Sequence, residues 1–168
     1  LSITVTLLVC IAVLGLLAGL GWLLVGFALH VATAAVARFA VANLVLALGA
    51  MVTVYRASAD SPWLQMAAGM LALIALVVER EGIQRLLTLP VSRREHAGFL
   101  AACALAIAIG RIGPGLADIA RMTVVGGLAW ICVRVVVETH AVMRRDFGVL
   151  AAALIGAPFA AMPMKYAE

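Results

Sequence analysis

Residues 38–90 read RFAVANLVLALGAMVTVYRASADSPWLQMAAGMLALIALVVEREGIQRLLTLP. Two long apolar runs flank a short polar turn. The first run, 38–55, ends on Tyr55 and Arg56, an aromatic and a cation of the kind that anchor a helix at a membrane–water interface. In the turn, Asp60 or Ser61 is placed to cap the next helix, with Pro62 in its first turn, where a missing N–H costs nothing. The second run, 63–87, turns polar in its last third, at Glu79, Arg80 and Glu81. This pattern predicts a hairpin of two membrane-spanning helices.

The rest of the chain repeats that chemistry. Of its 168 residues, 66% are hydrophobic and only 12% are charged, about half the share usual in a soluble domain. One soluble core cannot hide that much apolar surface. In a bilayer the side chains face lipid and the backbone satisfies itself inside helices. The runs far exceed the roughly 10 residues of a barrel strand and do not alternate. The expected fold is therefore all-α, a polytopic transmembrane helix bundle forming one domain over 1–168. Six spans are expected, near 1–29, 38–55, 63–87, 97–110, 116–140 and 147–163. The first is too long and too evenly apolar for a signal peptide. Pro158 and Pro163 interrupt or end the last.

Charge placement orients the bundle. Arg38, Arg85, Arg93, Arg94, Arg144 and Arg145 fall on one side of the alternating spans, and Arg56, Arg111, Arg121 and Lys165 on the other. The excess marks the first side as cytoplasmic. The N-terminus is then expected outside, in the periplasm of a bacterial inner membrane. The net charge of +4 is accounted for by these loops, and nucleic acid is not an expected partner. Lipid is, together with a second copy or a partner membrane protein.

Ionisable groups at membrane depth are functional candidates by default. Here they are Glu79, Arg80 and Glu81 on the third span, and Arg134 and Glu138 on the fifth. Arg134 and Glu138 share a helix face at i,i+4. Pairing of Glu79 or Glu81 with Arg134 across helices would make a switchable polar cluster. The same groups also suit a structural pair near the interface, with long side chains snorkelling outward. For helix packing the candidates are Gly15 and Gly19, a GxxxG step, and Asn43, which can hydrogen-bond a neighbouring helix.

Cys10, Cys103 and Cys132 lie inside apolar runs without metal-ligand spacing, and read as small buried hydrophobes. His30, His96 and His140 fall at helix ends without a second ligand at helical spacing. No metal or other cofactor is expected. Phosphate-loop, nucleophile-elbow and zinc-protease signatures are all missing from the sequence, and no enzyme activity is expected.

The order of elements in 38–90 carries a family resemblance. A Leu/Ala/Gly-rich helix ends in Arg; a turn follows with Pro62-Trp63-Leu64; the next helix ends in Gly82-Ile83-Gln84-Arg85-Leu86; then comes the basic loop around Arg93-Arg94. This resembles the multi-helix membrane input region that precedes GGDEF domains in bacterial diguanylate cyclases. The later helices fit by order and charge. No GGDEF domain lies within the 168 residues, so no nucleotide-binding residue is carried over. Such regions have a seventh, inward-leading helix, so the chain also fits a truncated seven-helix module. The resemblance implies a sensory or regulatory input module that passes a signal by helix repacking to an output domain or partner. The composition alone also fits an accessory subunit of a respiratory or photosynthetic complex. A small-solute transporter subunit is a further alternative, though the midplane offers little polarity beyond Asn43.

Overall fold

A computed structural model describes the backbone of residues 3–30, 32–56, 62–110 and 112–146. The turn residues Asp60 and Ser61, the sixth expected span, Pro158, Pro163 and Lys165 lie outside the described residues. Among those described, the chain is all helical. Five helices follow one another: α1 (Ile3–Leu29), α2 (Thr33–Arg56), α3 (Pro62–Leu86), α4 (Arg93–Ile109) and α5 (Pro114–Asp146). They divide into two compact units, residues 1–86 and 87–168.

Three spans, not six, are long and apolar enough to cross a membrane among the described residues: Ile3–Leu29, Thr33–Arg56 and Asp118–Arg145. Part of the difference is physical. α4 has 17 residues, about 25 Å of helix, short of the ~30 Å hydrocarbon core. α3 holds its charges, Glu79, Arg80, Glu81 and Arg85, in its last two turns, after a long apolar stretch.

In the first unit, α2 packs against both α1 and α3. α1 is apolar on every side, as expected of a membrane or deeply buried helix. It buries only Ala12, Gly15, Gly19 and Gly26. These small residues form one seam, three to seven residues apart. A Cβ on Gly15 would stand 3.1 Å from the Asn43 carbonyl oxygen, and one on Gly19 3.2 Å from that of Ala40. Backbone therefore approaches backbone along this seam. The large side chains of α1 point outward: Leu14, Leu17, Leu24 and Phe27 are all exposed. Cys10 is exposed with them, against the expectation that all three cysteines are buried.

α2 starts at Thr33, five residues before the expected 38. Residues 33–37, TAAVA, are mostly alanine, the best helix former. The Ala32 carbonyl accepts from the N–H groups of Ala35 and Val36 and opens the helix. His30 and Ala32 turn the chain with φ of 51° and 46°, the left-handed region that non-glycine residues seldom occupy.

In the second unit, α4 and α5 form an antiparallel hairpin. α4 starts at Arg93, one turn before the expected 97, with Glu95 in its first turn, where the helix dipole favours a carboxylate. The pair is tight at Gly127. A Cβ there would lie 2.5 Å from Phe99 Cε2 and 3.2 Å from Cys103 Sγ. α5 has 33 residues, about 50 Å of helix. It runs through the stretch expected to be a basic loop, and Arg144 and Arg145 occupy its last turn.

Candidate functional site

Two groups of polar residues are built on these hairpins, one in each unit. In the first unit, α2 and α3 are antiparallel neighbours, so the start of α2 meets the end of α3. Arg38 Nε donates to Glu81 Oε2 at 3.0 Å. The side chains are 37% and 18% exposed, so the pair is sheltered on its acidic side.

A layer of rings and glycine holds this pair. The Trp22 ring of α1 lies 5.0 Å from that of Phe39, tilted by 36°. On α3, a Cβ added to Gly82 would be 2.8 Å from Phe39 Cε1 and 3.2 Å from Arg38 Cβ. Gly82 follows Glu81 directly, and Phe39 follows Arg38. The absence of a side chain at 82 therefore sets how closely α2 and α3 approach where their charges meet.

Along α3, Leu73, Val77, Arg80 and Gln84 are all buried, at three- and four-residue spacing. This face begins apolar and ends polar. Arg80 and Gln84 are each only 1% exposed, and both have interaction partners. A buried guanidinium needs them, because an isolated buried charge is far more costly than a paired one. Glu79 is half-buried beside them.

In the second unit, Arg134 bridges two carboxylates. Its Nη2 is 3.3 Å from Glu138 Oε1, one turn on in α5, and its Nε is 3.5 Å from Glu95 Oε1 in α4. Its guanidinium carbon also lies 5.9 Å from the centre of the Trp130 ring, within cation–π range. His96 and Thr139, next to Glu95 and Glu138, are 4% and 5% exposed. One arginine thus serves two carboxylates, one on each helix of the hairpin.

Glu81 and Arg134 belong to different units, and each has a partner in its own: Arg38 for Glu81, Glu95 and Glu138 for Arg134. The sequence places Arg38 at the very start of its expected span and Glu95 in a connection between spans. Their places as ion-pair partners follow from α2 and α4 starting earlier than expected. Asn43 donates from Nδ2 to the Phe39 carbonyl at 2.8 Å, one turn back on its own helix. Its backbone carbonyl is the group that faces Gly15. Asp118 and Arg121 form an i,i+3 pair at 3.6 Å with both side chains 76% exposed.

Among the described residues, no group of three or more His, Cys, Asp or Glu is placed to hold a metal ion. Among the described residues the arrangement offers charge pairing between helices. No family model, curated protein or solved structure matches the chain.

Proposed function

We propose that the protein is a membrane-embedded regulatory module, in which a stimulus changes helix packing and α5 carries the change to an output domain or partner. The observation that carries this reading is α5 itself. At about 50 Å it exceeds the ~30 Å hydrocarbon core, holds the Arg134 bridge along its length and ends in Arg144-Arg145. A rigid helix that crosses a membrane and leaves it can move at one end what is perturbed at the other.

In the structure Arg134 meets both carboxylates at once, and the proposed switch releases one of them. Arg134 can favour Glu138 on its own helix or Glu95 on the neighbour, and a stimulus favouring one would shift the population. The resemblance to GGDEF-associated input regions supplies the class of output and the bacterial inner membrane as location. The arginine bias supports an N-terminus in the periplasm.

Spin labels at positions 97 and 143, read by pulsed dipolar spectroscopy in bilayer discs, test the switch. Two distance populations are expected, with their ratio changed about fivefold by Glu138→Gln, the effect of ~1 kcal/mol on a two-state equilibrium. One narrow population, unmoved by the substitution, would rule the switch out.

A further inference from the structure

The second unit carries four exposed arginines at one end of its hairpin. Arg93 and Arg94 begin α4, and Arg144 and Arg145 end α5. We propose that this end is a binding surface for the headgroups of anionic phospholipids in the leaflet it faces. The proposal rests on the membrane reading above and goes beyond it, since it names a ligand class and the residues that take it.

The geometry of the hairpin sets the heights of the two pairs. Glu95 stands level with Arg134 through their ion pair. Arg93 starts α4 two residues before Glu95, about 3 Å further out along the axis. Arg144 lies ten residues past Arg134, about 15 Å further out. The two arginine pairs are thus about 12 Å apart along the hairpin. Each headgroup layer of a bilayer is roughly 5–8 Å thick. With one pair at its inner boundary, the other stands about 4–7 Å beyond its outer boundary. Arginines snorkel along their apolar stems, so the inner pair reaches up and the outer pair reaches down into the same layer.

The chemistry selects the ligand. Guanidinium groups bind phosphate oxygens in bidentate fashion. The inner pair sits in the first turn of α4, where the helix dipole adds positive potential. Two carboxylates at this end, Glu95 and Glu138, are already bonded to Arg134. Asp146 follows the outer pair in sequence, which leaves the arginines in excess. A zwitterionic headgroup brings an ammonium that this surface repels, whereas an anionic one does not.

The full chain, purified in detergent, would be offered equal amounts of phosphatidylglycerol and phosphatidylcholine, and the retained lipid quantified by mass spectrometry. Phosphatidylglycerol should be enriched about fivefold or more, given the attraction of each basic residue to an anionic surface. Arg93→Gln with Arg94→Gln, and Arg144→Gln with Arg145→Gln, should each lower the enrichment. All four together should abolish it. Arg121→Gln, near the opposite end of α5, should leave it unchanged. Each double variant can be read alone if the quadruple one does not fold. Enrichment that survives in both double variants, or falls equally in the Arg121 control, overturns the proposal. Extraction of membranes at alkaline pH separates the two levels. A chain that stays inserted but shows no lipid preference removes only this inference, and a chain released from the membrane removes the membrane reading with it.

Discussion

The Arg38–Glu81 and Asp118–Arg121 pairs show how little an ion pair's existence says about its worth. The first joins two helices at 3.0 Å with its carboxylate only 18% exposed. The second joins neighbours on one helix at 3.6 Å, with 76% of both side chains exposed. Water and salt screen the second almost fully. Because Arg38 is itself 37% exposed, the first pair too is partly screened. Double-mutant cycles to alanine, read as unfolding free energy in detergent, should give about 0.5–1 kcal/mol of coupling for Arg38 and Glu81. For Asp118 and Arg121 they should give about 0–0.3 kcal/mol. Equal couplings would mean that burial is not what distinguishes them. The partner of Glu81 was within reach of counting. Arg38 is 18 residues before Arg56, where α2 ends (56 − 38), and Glu81 is 19 residues after Pro62, where α3 begins (81 − 62). In a hairpin these stand at equal height. Periodicity gives a residue's face and depth on its own helix. Only the choice of neighbouring helix converts that into a partner.

At the scale of elements, neighbouring glycines separate the demand for space from mere composition. Gly126 has nothing within 4 Å of an added Cβ, whereas Gly127 would place one 2.5 Å from the Phe99 ring. Gly126→Ala should be neutral or stabilise α5 by up to about 1 kcal/mol, the helix-propensity gain. Gly127→Ala must push Phe99 aside and should cost about 1–3 kcal/mol as overpacking. Thermal unfolding followed by circular dichroism compares them, and similar melting temperatures would refute the tight contact. The sequence offers Gly126-Gly127 as a pair with no sign of which one faces α4. Helix ends differ from the expected ones for a related reason. The weakly polar run before Arg38 and the basic run before Asp146 read as connections yet are helical. Alanine sustains a helix without an apolar face, and cations at a helix C-terminus are favoured by its dipole.

For the whole molecule, the three native cysteines offer a direct reading of what lipid covers. Cys10 is exposed on α1, while Cys103 and Cys132 are buried. A carbene generated by photolysis of a lipid-soluble precursor, which inserts without needing a thiolate, should label Cys10 at least tenfold more than Cys103 or Cys132, because packing shields the last two. In a chain stripped of its three cysteines, a membrane-impermeant reagent should label a cysteine placed at 144 and spare one placed at 133, about 16 Å deeper along α5. Equal labelling of both would show that α5 does not cross from lipid to water between them. Composition alone made the apolar, helical character legible, since 66% hydrophobic residues leave few other solutions. It left the number of crossings open, because a short helix such as α4 satisfies an apolar average without the length to span.

The three-residue connection between α1 and α2 bears on how the chain is made. A connection of three residues reaches at most about 14 Å between Leu29 and Thr33, so α2 is expected to meet α1 as soon as it is made, and the glycine seam lets the two backbones close together without waiting for any later helix.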